Sequence, residues 1–383
     1  MSTTPISSKP LKPLISILLP DLRGGGAERV SVNLANAFVQ QGHSVDIVLL
    51  SATGEFLSEL YPKVNVVDLK VSRMRGAIFS LVRYLRSIQP AALLACMWPL
   101  TVLAILARVL SRVPTRVVVA EHTTWSRSEL LSRFTIGWQV RTSMYHFFPK
   151  ADAIVAVSGG AADDLARFSR VDRSKISVIY NPVVENGARR LACPPEEPQS
   201  WCAGSHRRIL AVGTLKAIKD YATLLNAFAV LCRRVDARLL ILGEGECRDA
   251  LETQARALGI ADSVFMPGFV ANPAPYYEHA DLHVLSSTGE GLPTVLIESL
   301  AAGTPVVSTD CPSGPREILA AGEFGRLVPV GDPESMANAM QASLAAEHDR
   351  AALMERAQDF SVDKAASRYL ELLLPNLAAR GAA

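Results

Sequence analysis

The sequence predicts an α/β protein built from two doubly wound, parallel-sheet domains facing a cleft. Three observations carry that prediction. Short apolar runs alternate with segments of helical periodicity, the pattern of strands joined by crossover helices. The alternation halts in an aperiodic stretch around residues 186–206 that holds Pro194, Pro195 and Pro198, then starts again. In the second half the apolar runs end at Gly213, Gly243, Gly268, Gly289 and Gly314. In an open parallel sheet such turns gather along one edge, where a nucleotide cleft forms.

A chain of 383 residues with 49% hydrophobic and 20% charged residues is long enough for two cores and too apolar for disorder. The six cysteines (Cys96, Cys193, Cys202, Cys232, Cys247, Cys311) have neither metal-ligand spacing nor the density of a disulfide framework, which points to a reducing compartment. The first apolar run, Leu14 to Leu19, is too short for a signal sequence, so a cytoplasmic location is expected. The net charge of +2 hides an asymmetry: residues 1–190 hold 23 Lys/Arg against 13 Asp/Glu, and residues 191–383 hold 16 against 24. A basic half joined to an acidic half predicts different partners, with an anionic membrane surface or an anionic acceptor on the basic side.

In chain order, Leu14 to Leu19 reads as a buried strand, followed by the Gly24-Gly25-Gly26 loop and a helix marked by Val30, Leu34, Ala35 and Phe38. The triple glycine allows close backbone approach to a ligand, but Arg29 stands where a dinucleotide fingerprint needs its last glycine. Strands follow at 44–50, 64–69, 92–97 and 116–120. Residues 90–107 carry no charge, yet Pro90 and Pro99 interrupt them, so a strand, a loop at Met97-Trp98-Pro99 and a buried helix explain them better than a membrane span. His122 then stands at the carboxyl end of a strand, the ligand side of such sheets; a purely structural cleft histidine is the other reading. Two basic and aromatic stretches fit a membrane surface or plain packed surface helices: Arg73 to Arg86 with Phe79, and Arg127 to Phe148 with Trp138. A strand at 153–158, a helix capped by Ser158, and a strand ending at Asn181-Pro182 complete the first domain, residues 1–185.

After the linker, 186–206, strands are expected near 208–213, 238–243, 264–266, 282–286 and 305–308, within a second domain spanning 207–360. Between the last two lies Ser287-Thr-Gly-Glu-Gly-Leu-Pro-Thr-Val-Leu-Ile-Glu298, a strand end, a glycine turn and a helix with Pro293 in its first turn. A helix start preceded by Gly289 and Gly291 offers amides to an anion. Glu290 and Glu298 bracket it, the latter about 8 Å along the axis at ~1.5 Å per residue. Such carboxylates suit sugar hydroxyls, because each can accept from two adjacent ones.

This Glu-x7-Glu element, within Gly-Glu-Gly-Leu-Pro-Thr-Val-Leu-Ile-Glu-Ser-Leu-Ala-Ala-Gly-Thr-Pro-Val-Val, resembles that of the family 4 retaining glycosyltransferases of the GT-B fold. The resemblance implies that Glu298 holds the ribose and Glu290 the sugar ring of a nucleotide-sugar, probed on its diphosphate by amides from Gly291, Leu292, Pro293 and Thr294. Lys219 matches a phosphate-binding lysine, in Val212-Gly213-Thr214-Leu215-Lys216-Ala217-Ile218-Lys219, where Thr214 replaces the family's arginine. By the same resemblance Gly243, Gly268 and Phe269 form the base pocket, Gly25 and Gly26 meet the diphosphate and acceptor, His122 lies near the transferred sugar, and residues 361–383 return to the first domain. The implied reaction moves a hexose or N-acetylhexosamine from a nucleotide-sugar, with uridine the base by family habit, to a glycan or lipid-linked acceptor at the inner membrane face. No Asp-x-Asp motif is present to hold a metal, no cofactor is expected, and no nucleic-acid partner is implied. Thr214 keeps open a catalytically weak glycan-binding or scaffold protein on the same fold; a nucleotide-sugar epimerase is a further alternative.

Overall fold

The computed structural model describes residues 13–23, 25–71, 74–127, 134–184 and 199–375. Gly24, Arg73, Arg133, residues 186–198 of the expected linker and the last eight positions of the 361–383 segment lie outside them.

The first sheet has seven strands: β1 (Leu14–Leu19), β2 (Ser44–Leu49), β3 (Val64–Asp68), β4 (Ala92–Cys96), β5 (Arg116–Glu121), β6 (Ala153–Ala156) and β7 (Ile176–Val178). All pair in parallel, in the order β3-β2-β1-β4-β5-β6-β7. Apolar runs such as Leu93-Leu94-Ala95 are buried on both faces because helices cover both faces of a parallel sheet. Those helices include α1 (Gly26–Gln40), α2 (Met74–Ile88), α3 (Leu100–Ser111), α4 (Phe134–Phe147) and α5 (Gly159–Ser169). The uncharged stretch 90–107 resolves into β4, a turn and α3. Among the described residues no helix is long and apolar enough to cross a membrane.

A short helix, α6 (Gln199–Cys202), leads into the second sheet: β8 (Arg207–Val212), β9 (Ala237–Leu242), β10 (Val264–Gly268), β11 (Leu282–Leu285), β12 (Val306–Thr309) and β13 (Arg326–Val328), in the order β10-β9-β8-β11-β12-β13. Its helices are α7 (Tyr221–Cys232), α8 (Arg248–Ala257), α9 (Ala274–His279), α10 (Thr294–Ala301), α11 (Pro315–Ile318), α12 (Pro333–Ala345) and α13 (Arg350–Ala357). The sequence reading did not reach β13, α12 or α13; β13 has only three residues, too few for a periodicity signal.

The order of each sheet reverses at one place, between β1 and β4 and between β8 and β11. There the crossover helices depart to opposite faces and leave a crevice at the carboxyl ends of the strands. The chain crosses back near its end. The amides of Val183 and Val184 both donate to Phe360 O (3.0 and 3.2 Å), and Val362 N donates to Val184 O (2.9 Å). Helix α14 (Val362–Leu373) then buries Val362, Ala365, Ala366, Tyr369 and Leu373 among Ile15, Leu34, Phe38 and Val118 of the first domain.

Candidate active site

Strands β8 and β11 are neighbours, so the loops that follow them meet. Ser286 Oγ donates to Lys219 O at 2.7 Å and Thr288 N to Ile218 O at 2.8 Å. This stitching brings Lys219 Nζ to 2.7 Å from Glu290 Oε1, an oxygen that also accepts from Ser287 Oγ at 2.6 Å. The two charged side chains keep 19% and 12% of their surface in solvent, so the pair is shielded yet open to the cleft. Helix α10 begins at Thr294, with Pro293 as its N-cap rather than in the first turn. Proline has no N–H, which narrows the amide set to Gly291, Leu292 and Thr294. None of the three amides makes a backbone hydrogen bond among the described residues.

One and a half turns into α10, Glu298 is partly exposed and faces the Tyr277 hydroxyl of α9 and the side chain of Thr294. Burial raises its carboxyl above the usual range, against the pull of Tyr277, of Arg29 across the cleft and of Thr294. The Tyr277 hydroxyl falls short of a formed hydrogen bond. Arg29 itself stacks 4.0 Å over Phe56 and pairs with Glu59.

The expected base pocket is a nest of loops. Gly243 N donates to Gly268 O at 2.8 Å, and Gly213 N to Leu242 O at 2.9 Å. A side chain on Gly243, at φ +148°, would collide with the Gly213 carbonyl. Only glycine lets these two loops stack. Arg248 braces the nest, holding both oxygens of Glu244 (2.9 and 2.6 Å) and donating to Met266 O (2.9 Å). Phe269 is 58% exposed at its edge.

The first domain reaches the same loop through backbone carbonyls. Thr124 Oγ1 donates to Glu290 O (2.5 Å), Ser158 Oγ to Gly291 O (2.8 Å) and Asn181 Nδ2 to Leu292 O (3.3 Å). A trans peptide sets its N–H opposite its C=O, so tethering carbonyls 290 and 291 turns the amides of Gly291 and Leu292 away from those donors. Gly291 itself lies against the His122 carbonyl, where a Cβ would collide. The His122 ring nitrogens are buried without a formed hydrogen bond, with the Asn181 side chain nearby. Burial lowers its pKa to about 4, an effect Asn181 opposes, so the imidazole is neutral at pH 7. Beside it Glu121, which accepts from Thr101 Oγ1 at 2.9 Å, is pushed up to about 8 by burial.

The structure therefore gathers Gly213, Lys219, Glu290, Gly291, Leu292, Pro293, Thr294, Glu298 and His122 about one crevice, with Gly243, Gly268 and Phe269 beside it. Gly25 is the N-cap of α1, and the Glu28 carboxylate folds over it; Gly26 faces open space. Thr214 and Lys216 are both exposed, on the loop after β8. Thr124, Asn181 and Ser287 were not expected at the site, and Ser158 was read only as a helix cap. The contacts of Thr124, Ser158 and Asn181 join loops far apart in sequence, whereas Ser287 reaches Glu290 within its own loop; polar residues at strand ends carry no spacing signal. A cavity of about 570 Å³ lies elsewhere, lined by Tyr180, Arg356 and Arg368 among others, and holds none of the expected site residues. No cluster of three or more His, Cys, Asp or Glu side chains suited to a metal ion occurs among the described residues.

Comparison with known proteins addresses the family and the fold. Residues 24–186 match the family described as Glycosyltransferase Family 4, and residues 206–346 the one described as Glycosyl transferases group 1. The chain is 32% identical over 284 residues to the Campylobacter jejuni N-acetylgalactosamine-N,N'-diacetylbacillosaminyl-diphospho-undecaprenol 4-alpha-N-acetylgalactosaminyltransferase, covering 71% of this chain and 73% of that one. Among solved structures, the lipopolysaccharide outer core galactosyltransferase WaaB superposes with a TM-score of 0.70 at 20% identity, over 95% of this chain and 99% of WaaB. Anabaena HepE in complex with UDP-glucose superposes with a TM-score of 0.73 at 18% identity, over 97% of this chain and 99% of HepE. With two parallel-sheet domains, the Glu-x7-Glu loop at their crevice and these matches, the chain belongs to the family 4 glycosyltransferases of the GT-B fold.

Proposed function

We propose that the chain transfers a hexose or N-acetylhexosamine, with retention of configuration, from a UDP-sugar to a lipid-linked glycan acceptor in surface polysaccharide synthesis. The observation that carries this reading is the meeting of Lys219, Ser287 and Glu290 beside three unpaired amides. A nucleoside diphosphate leaves with negative charge, and a fixed ammonium and aligned amides that meet that charge lower the barrier. Glu290 accepts hydrogen bonds from the sugar hydroxyls while Lys219 turns to the phosphate. Glu298 accepts from the ribose, and neutral His122 offers a ring nitrogen to the sugar. The bond from the anomeric carbon to the phosphate oxygen breaks and one to the acceptor oxygen forms on the same face. The departing phosphate takes the acceptor proton, so neither glutamate acts as a base, and no metal or other cofactor has a step.

The C. jejuni relative is named for a diphospho-undecaprenol acceptor, and the basic first domain suits such an anionic lipid. Phe79 on α2 and Trp138 on α4 are 77% and 65% exposed, and Arg83, Arg86 and Arg141 lie on the same two helices. That combination supports peripheral contact with an anionic membrane on the cytoplasmic side. Incubating purified protein with a panel of UDP- and GDP-sugars and a polyprenyl-diphosphate glycan, then reading products by mass spectrometry and anomeric configuration by NMR, tests the proposal. A β-linked product from an α-linked donor would refute retention, and no transfer from any donor would refute the activity. The alternative of a weak catalyst rests on Thr214: if Thr214→Arg turns an inert protein into an active one, that reading replaces ours.

A further inference from the structure

Glu317 lies in the second domain, yet its carboxylate is spent on the first. Its Oε2 accepts from Gly159 N at 2.8 Å and its Oε1 from Gly160 N at 2.9 Å. These are the first two residues of α5, whose amides have no partner within the helix. A carboxylate from the other domain thus caps this helix end, with the sign of charge that a helix N-terminus favours. The approach is close: a Cβ on Gly160 would lie 2.7 Å from Ser313 Oγ and 3.0 Å from Ser313 Cα. The backbone that carries Glu317 is itself anchored, because Arg356 donates to Glu317 O (2.6 Å) and Ile318 O (3.0 Å).

One residue before Gly159 stands Ser158, which caps the same helix by accepting from Ala161 N (3.1 Å) and donates to Gly291 O (2.8 Å). The helix end gripped by Glu317 is therefore the end that tethers the middle carbonyl of Glu290–Leu292. We propose that Glu317 is a positioning residue: by latching the first turn of α5 it couples closure of the two domains to the setting of the Glu290–Leu292 loop for the donor diphosphate. This rests on the reading of that loop given under Proposed function. When the latch is released, Thr124, Ser158 and Asn181 withdraw together from carbonyls 290, 291 and 292, while Gly243, Gly268, Phe269 and Glu298, the second-domain residues of the pocket for base and ribose, stay in place.

The test compares Glu317→Ala, Glu317→Gln and Gly160→Ala with the wild type. Gly160→Ala adds one methyl group against Ser313 and removes no polar group. Three quantities are read: turnover at saturating donor, affinity for UDP, and the radius of gyration from small-angle X-ray scattering. The expected result is turnover down about tenfold or more in Glu317→Ala, in line with the loss of hydrogen bonds to a charged acceptor. UDP affinity should stay within about twofold, with a larger radius of gyration, and the glutamine variant should recover part of both effects. Gly160→Ala should reproduce the separation of turnover from affinity, which also covers the case in which Glu317→Ala fails to fold. Wild-type turnover and radius in either folded variant would overturn the latch, as would a loss of UDP affinity that matches the loss of turnover. Should the wild type transfer no sugar at all, the proposed function falls, and the scattering comparison alone decides the latch.

Discussion

The two domains share a fold plan but contribute to the crevice in different currencies. The second domain supplies charge and glycine: Lys219 and Glu290 in contact, Glu298 on α10, and loops nested through Gly213 and Gly243. Apart from Arg29, whose charge reaches Glu298, the first domain's contribution is neutral: Thr124, Ser158, Asn181 and a histidine held neutral by burial, three of which touch the backbone of the partner domain's loop. A charged reader must face its ligand directly, whereas a hydroxyl on a carbonyl acts one step removed. The difference teaches that donor recognition and the orientation of its loop are separable, one per domain.

If the contrast holds, the largest losses come from the charged pair. We predict that Lys219→Ala and Glu290→Ala each lower turnover by about 10²–10³-fold, the usual size for removing one preorganised transition-state group. Glu290→Ala should spare UDP affinity, measured by calorimetry; parallel losses of turnover and affinity would place Glu290 on the nucleotide instead. Next in size, Glu298→Ala should weaken UDP binding by about 10–100-fold, the equivalent of one hydrogen bond to a charged group at ~1.5–3 kcal/mol. Unchanged UDP affinity in that variant would remove the ribose role.

A third prediction uses one histidine from each domain. His122 and His283 are held neutral by burial, with pKa values near 4 and about 3, below the ordinary 6.5. For both, the unfolded chain binds more protons than the folded one as pH falls below 6.5, so stability declines toward acid. Among the described residues His283 has no polar partner for either ring nitrogen, and its ring lies 5.3 Å from that of Tyr277. His283→Leu should therefore lessen the loss of stability between pH 7 and pH 5 by ~2 kcal/mol, from ~1.4 kcal/mol per pH unit below 6.5. Urea unfolding at the two pH values measures this, and an unaltered pH dependence would show that His283 titrates normally. The smallest effect is expected from the neutral donors: Thr124→Val should reduce turnover about fivefold, near the ~1 kcal/mol of one hydrogen bond, with UDP affinity intact. A loss as large as that from Lys219→Ala would erase the division between the domains.

The same contrast explains what could be read from the sequence. Strand alternation, the crevice side of His122 and the glycine turns follow from local rules, and Lys219, Glu290 and Glu298 stand in contiguous motifs. Glu28, which folds over Gly25, shows the limit even within one helix turn, since nothing in the spacing says where a flexible carboxylate will lie. Thr124, Ser158 and Asn181 act on residues 166, 133 and 111 positions away, so their partners exist only once both domains have folded and met. Hydroxyl and amide side chains are also common at turns and caps for purely local reasons, which masks a long-range role. Glu317 likewise grips amides 158 and 157 positions away, a pairing that no local spacing signals.

Helix α14 carries a consequence for how the protein is made. Its residues Ala366, Tyr369 and Leu373 complete a core that begins with Ile15 near the amino end. On the ribosome the first domain would emerge early with that apolar face uncovered, and would wait through the synthesis of the whole second domain for its last piece. The first domain to be translated is thus the last to be finished, and a chain truncated after residue 360 would leave Ile15, Phe38 and Val118 facing water, open to aggregation or chaperone capture.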